Sequence, residues 1–314
     1  MKLFTRIFSV GMLLSVVILA GGCSSNSSQQ AISAKQALKL LNKDNVVIVA
    51  AQVPDNTAVY DKEHVKNAVK IDLSDIVINK PVANMLAPKE QIEKVMGELG
   101  ISNNTTVILY DANNNMDAAR VWWTLKVYGH ENVKVVSGGL SALKKAGAEM
   151  TSEVPEIKIA KYVAKEKNND MIATIDQVKG QVTSPNKNTI LLDTRSQKEY
   201  AEGTIPGSVL FEYINNDYSD GTYKPVEVMK IQYIDKNIKA KNDIIMYCKT
   251  SIRGAQTYLA LYDAGYRNLK LYDGAWVEWS SLGALPVQKA EATENSKTPV
   301  AAPTTPTADS QDAS

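Results

Sequence analysis

The stretch "DIIMYCKTSIRGAQTYLALY", Asp243 to Tyr262, sets a cysteine, Cys248, between an apolar run and a helix-like segment. Cysteine chemistry belongs to the thiolate, and a loop running from a parallel strand into a helix favours that form. The loop offers amide N–H groups that have no acceptor inside the helix, and the helix dipole adds positive potential at the same place. Lys249 and Arg253 lie in the same loop and act in the same sense. "CKTSIR" therefore reads as an anion cradle, with Cys248 as a nucleophile suited to a group that leaves as an anion. The competing reading is a small buried hydrophobe, because free cysteine is among the most buried residue types.

Positioning such a loop requires an α/β sheet that exposes ligands at its strand C-termini. Buried-strand runs occur at 45–51, 105–111 and 132–138, and again at 188–194, 243–249 and 268–274, with helix-like segments between them. The halves correspond in detail: "AARVWWTLKVYGHENVKVVSGGLSAL" (118–143) aligns with "GAQTYLALYDAGYRNLKLYDGAWVEW" (254–279), and "DKEHVKNAVKIDL" (61–73) answers "YAEGTIPGSVLFE" (200–212). The chain is thus expected to hold a duplicated α/β unit, each copy a parallel-sheet core flanked by helices. At the position of Cys248 the first copy has Asp111, in a loop one residue longer, and that copy contains no cysteine.

Three segments of the second copy together resemble the rhodanese family of sulfurtransferases in its tandem form, with an inactive first domain and an active second one. "LLDTRSQKEYAEGTIPGSV" is similar to the family's first signature, with Asp193, Arg195, Glu199, Tyr200, Gly203, Ile205, Pro206 and Gly207 in place. "MYCKTSIRGAQTYLAL" resembles the active-site loop and its helix, and "LYDGAWVEWSSLGALPV" the closing segment with Asp273, Gly274, Trp276 and Trp279.

The resemblance implies two-step transfer. Cys248 takes a sulfane sulfur from a donor such as thiosulfate or 3-mercaptopyruvate, holds it as a persulfide, and passes it to cyanide or a thiol. It also implies substrate-binding roles for Lys249, Thr250, Ser251, Ile252 and Arg253 through their amides, for the Lys249 cation, and for Arg195 as a second cation facing the pocket. Asp193 and Glu199 are expected to fix the loop and neighbouring arginines, and no cofactor or metal is implied. The six-residue loop is the length of sulfur-handling relatives, whereas those acting on phosphate or arsenate carry one residue more. Ser251 stands where the family commonly has glycine, so a positive φ there would strain it or reshape the loop. Thr204 replaces a histidine of the first signature. The alternative from another class is a persulfide carrier or a sulfur- or anion-sensing module that serves an acceptor protein.

The rest of the chain sets the address. The 314 residues exceed one average domain, and composition is ordinary for a globular protein at 44% hydrophobic and 22% charged. A net charge of +1 without a basic, aromatic-laced stripe argues against a nucleic-acid partner. His64 and His130 stand far apart in the copy without a cysteine, and are expected to be structural.

"MKLFTRIFSVGMLLSVVILAGGC" joins basic Lys2 and Arg6 to an apolar run and small residues before Cys23, which makes it an export leader. It resembles a bacterial lipobox, in which the cysteine is acylated and begins the mature chain; an ordinary signal peptide or a membrane anchor is the other reading. The expected organisation is a signal peptide at 1–22, a lipid-anchored tether at 23–33, an inactive domain at 34–150, a linker at 151–170, a catalytic domain at 171–288 and a disordered tail at 289–314. The expected location is the extracytoplasmic face of the cell membrane. Metabolic labelling with a radioactive fatty acid should mark the wild-type chain and not Cys23→Ala; label retained in that variant would refute the anchor.

Overall fold

The computed structural model describes residues 29–53 and 57–289. The expected leader, Cys23 and all of the expected tail beyond Lys289 lie outside the described residues.

The first half runs β1 (Ala31–Ile32), α1 (Ala34–Leu41), β2 (Val46–Gln52), α2 (Thr57–Lys62), β3 (His64–Val65), β4 (Val69–Asp72), β5 (Val77–Ile78), β6 (Met85–Leu86) and α3 (Lys89–Glu98). It continues through β7 (Thr106–Tyr110), α4 (Met116–Val127), β8 (Val133–Val136), α5 (Gly139–Lys145) and β9 (Met150–Thr151). The second half contains β10 (Ile172–Ala173), α6 (Ile175–Thr183), β11 (Thr189–Asp193), α7 (Gln197–Glu202) and β12 (Val209–Leu210). After these come α8 (Val226–Asp235), β13 (Asp243–Tyr247), α9 (Ile252–Asp263), β14 (Leu269–Tyr272) and α10 (Ala275–Ser281).

One sheet has the order β1-β8-β7-β2-β4 and the other β10-β14-β13-β11-β12. Every pairing within both is parallel. Matching the strands in chain order makes the two topologies identical, so the internal repeat is a repeat of fold. The central strands β7 and β13 are covered on both faces by helices, which is why they read as unbroken apolar runs rather than alternating ones. The two-residue edge strands are too short to leave any periodic signal in the sequence.

Local signals place the helices. Ser33 caps α1 and Gln36 completes a capping box, while Ser196 and Glu199 do the same for α7. The helices α4 and α9 differ from ordinary surface helices because ten of the twelve residues of α4 and eight of the twelve of α9 are buried. They lie against one another between the two sheets, and one hydrophobic cluster runs through both halves, from Val107 and Leu109 to Ile244 and Met246. The outer faces of the sheets carry separate clusters.

Trp122 is fully buried at this junction, its ring centroid 6.1 Å from that of Tyr258 and 5.7 Å from that of Tyr262. Trp122 and Trp123 thus pack in the core. At the start of the first sheet, the Asp263 carboxylate of α9 accepts from the amides of Gln30 (2.7 Å) and Ala31 (2.8 Å).

The segment from Ser152 to Asn168 has no helix or strand, yet it is pinned to the first half. Ala160 N donates to Gly97 O (3.0 Å), Lys165 N to Tyr128 O and Asn168 N to Val127 O. A side chain at Gly97 would put its Cβ 2.8 Å from the Ala160 carbonyl oxygen, so glycine there permits the close approach.

The two histidines serve the backbone. His64 stacks on Tyr60 at 3.8 Å, its Nδ1 faces Tyr60 O and its Nε2 faces Glu153 O. His130 Nε2 pairs with Thr105 O.

Removing the Trp122 ring leaves a cavity between the halves, and Trp122→Ala should cost about 3–5 kcal/mol in urea unfolding. A loss below about 0.5 kcal/mol, the range of ordinary surface substitutions, would contradict the shared core.

Candidate active site

Cys248 follows the last residue of β13, at the centre of the second sheet, and is 1% exposed. Ser251 caps α9 in the left-handed region, with φ 65°. The loop therefore does need a positive φ where glycine was expected, and the serine carries a cost of ~1 kcal/mol. What holds it is its own hydroxyl, whose single proton is shared between Tyr272 O (2.7 Å) and Asp273 O (2.8 Å). A glycine would relax the backbone and lose that tie to the end of β14.

The segment after β14 clamps the loop from the other side. Trp276 N donates to Cys248 O (3.0 Å) and Val277 N to Lys249 O (3.2 Å). To aim those amides the chain takes φ 54° at fully buried Ala275, a second strained residue beside the cysteine. In the first half the matching residue is Gly139, where a Cβ would lie 2.1 Å from Asp111 O. Sequence reasoning missed Ala275, because alanine carries no mark of a left-handed position.

The first half shows what the cradle does with an anion. The Asp111 carboxylate accepts from the amides of Asn113 (3.0 Å), Asn115 (3.0 Å) and Ala118 (2.9 Å), so the loop closes around its own side chain. Burial pushes the Asp111 carboxyl up and the amide bonds oppose that. Asp117 takes the place that Arg253 has in the second half. Burial and then the Asp111 charge push it up to about 7. The same backbone thus surrounds a carboxylate with an acid in one half and a cysteine with an arginine in the other.

Arg253 is the cation at the sulfur. The Cys248 charge acts on it, while its two terminal nitrogens donate to Glu199 Oε2 (2.6 Å) and Oε1 (2.8 Å). Burial pulls Arg253 down, but the Glu199 bond and the Cys248 charge outweigh it and hold the guanidinium above its ordinary range. For Glu199, burial acts upward, and the Arg253 and Ser196 hydrogen bonds overcome it and bring the carboxyl to about 2.

Arg195 is placed otherwise than the resemblance implied. Its Nε and Nη2 are bound to the Asp193 carboxylate (2.6–3.1 Å), Nη2 also reaches Gly203 O, and its guanidinium lies 4.3 Å from the Trp276 ring centroid. Its charge is compensated by Asp193, so it is not a second free cation. Lys249 is exposed, Thr250 is half-buried, and Ile252 packs its side chain on the core. Thr204, where a histidine was expected, is buried and donates to Asp193 Oδ2 (2.9 Å).

The rhodanese-like domain profile matches this chain twice, over residues 33–146 and 174–282. The chain belongs to the rhodanese-like family. It is 31% identical over 274 residues to a protein of Mycobacterium tuberculosis named "Putative thiosulfate sulfurtransferase", covering 82% of this chain and 96% of that one. It is also 31% identical over 258 residues to the "Sulfur carrier protein TtuD" of Thermus thermophilus, covering 76% and 90%. A solved structure of the anaerobic ergothioneine biosynthesis enzyme from Chlorobium limicola with trimethyl histidine superposes with a TM-score of 0.74 at 22% identity. That match covers 83% of this chain and 70% of that one, and shows the shared fold.

Glu199 gives the site a pH signature. Its carboxyl lies below the ordinary 4.5, so its contribution to stability is fully present above that value and is lost as pH falls toward about 2. Since both partners are partly exposed, Glu199→Gln should cost about 1–2 kcal/mol at neutral pH. In urea titrations the gap to wild type should close below pH 4.5; a gap constant with pH would refute the ion-pair account.

Proposed function

We propose that the protein is a sulfurtransferase of the thiosulfate type, working through a persulfide on Cys248. The observation that carries this reading is the place of Cys248 between the end of β13 and the N-terminus of α9, on whose first turn Glu199 holds the Arg253 guanidinium. In the first step the Cys248 thiolate attacks the outer sulfur of thiosulfate. A Cys–S bond forms, the donor's S–S bond breaks, and sulfite leaves with the electron pair. In the second, cyanide or a thiolate attacks the outer sulfur of the persulfide, and the Cys248 thiolate leaves. The first-turn amides of α9 and Arg253 stabilise the anionic sulfur in both steps. Lys249, exposed beside the cysteine, is assigned to the donor's sulfonate; 3-mercaptopyruvate is the alternative donor.

The first half, residues 34–150, is assigned no sulfur chemistry, because Asp111 fills its cradle. Residues 171–288 are assigned the catalytic role and 151–170 the connection between them. A lipid anchor at Cys23, with a tether to residue 33, would hold this body at the extracytoplasmic membrane surface. That part rests on the sequence, and among the described residues no helix is long and apolar enough to cross a membrane. A second reading, persulfide delivery to an acceptor protein, is favoured by the similarity to the Thermus sulfur carrier.

The body from residue 29 onward should make thiocyanate from thiosulfate and cyanide, and Cys248→Ser should make none. A stable persulfide on Cys248 by mass spectrometry without turnover would favour the carrier. Undiminished turnover in the serine variant would end the mechanism.

A further inference from the structure

We infer that Arg120, in the half without a cysteine, is a positioning residue for Cys248. The inference rests on the sulfurtransferase reading. Arg120 lies on α4 and is fully buried. Its Nη2 donates to Asp273 Oδ1 (2.9 Å) across the junction and to Asn84 O (2.9 Å), and Leu86 N, also of the first half, donates to Asp273 Oδ2 (2.7 Å). Both carboxylate oxygens of Asp273 are therefore held by the opposite half of the molecule.

Asp273 is the hinge of the clamp on the catalytic loop. Its carbonyl oxygen takes the Ser251 hydroxyl, and two residues later the strained backbone at Ala275 aims Trp276 N at the Cys248 carbonyl. A path of direct bonds thus leads from Arg120 to Asp273, and from there to both ends of the cysteine loop. Nothing in the path touches donor or acceptor.

Two observations set this pair apart from general packing. Arg120 Nε and Nη1 have no hydrogen-bond partner among the described residues, so the guanidinium is buried with part of its capacity unused. A buried ion pair of that kind contributes little net stability compared with apolar side chains of similar size, and its gain is in fixing geometry. The second observation is asymmetry. At the equivalent junction beside Asp111, the counterpart of Asp273 is Ser137, whose hydroxyl oxygen accepts from Tyr223 N. The counterpart of Arg120 is Gln256, which donates to Asp217. Among the described residues, the Arg–Asp clamp stands on the side with the cysteine and its counterparts at the other junction are Gln256 and Ser137.

The test compares wild type, Arg120→Met, Arg120→Lys, Asp273→Asn and the double variant Arg120→Met/Asp273→Asn. It uses thiosulfate–cyanide kinetics, the rate of Cys248 alkylation by iodoacetamide, and the thermal midpoint. A displaced loop should lower kcat about tenfold or more, since small misplacements of reacting groups are costly. The KM for thiosulfate should change by less than about twofold, because the pair does not bind the donor. Arg120→Lys should recover most of the loss, and the double variant should be no worse than the poorer single variant.

A fall in thermal midpoint with kcat and alkylation rate unchanged would overturn the inference and leave the pair a purely structural one. Should Arg120→Met fail to fold, Asp273→Asn decides in the same way. If the wild type forms neither thiocyanate nor persulfide, the sulfurtransferase reading fails. The alkylation rate then still tests the positioning: slower reaction in Arg120→Met supports it, and equal rates overturn it.

Discussion

The amides in the first turn of α9 have no acceptor within the helix, and the site is organised around giving them one. At the loop's head stands Cys248, with Arg253 acting on it by charge and Glu199 bonded to Arg253. Such an arrangement needs a backbone that turns sharply out of β13, and two residues other than glycine, Ser251 and Ala275, accept left-handed conformations to provide the turn. Strain of this size persists only where the surroundings over-determine it. Here the hydroxyl of Ser251 and the close packing around Ala275 do so.

The duplication shows how little of the fold is committed to chemistry. Both halves build the same sheet order, the same loop at the end of the central strand, and the same left-handed cap before the following helix. Asn115 fills that cap in the first half, and asparagine tolerates the conformation better than serine does. Asp111 supplies the anion from the chain itself, so the first cradle is satisfied from within. Under the proposed function, replacing that carboxylate by a sulfur that can gain and lose an atom is what separates a scaffold from a site able to turn over.

The halves are also not independent. Their shared hydrophobic cluster passes through α4 and α9, and Trp122 fills the seam. Dispersion and burial there hold the halves together, while Asp273, bound by Arg120 and Leu86, fixes one polar point of the seam beside the cysteine loop. The apolar contacts give adhesion without direction; the hydrogen-bonded charge gives direction with little adhesion.

The sequence by itself determined the α/β class, the repeat and the cysteine loop, because these depend on local rules. Buried parallel strands must be apolar, helices must be capped, and a thiol at a strand end before a helix has a recognisable spacing. It also carried the family's three signatures and pointed to Glu199 as a partner for an arginine. Tertiary structure decided what each charge faces. Arg195 and Arg253 look alike in sequence, but the first is neutralised by Asp193 two residues away, while the second is paired with Glu199 and feels the Cys248 charge.

Arg120 had one legible sign, a charge inside the otherwise apolar "AARVWWTL". Its partner Asp273 is 153 residues away, and no periodicity encodes a contact at that distance. Ala275 left no sign at all, since a left-handed φ is imposed by the packing around it and not by its own side chain. Local pattern fixes which groups are available, and only the folded chain fixes their neighbours, because electrostatic and hydrogen-bond energies depend on distances that sequence spacing does not contain.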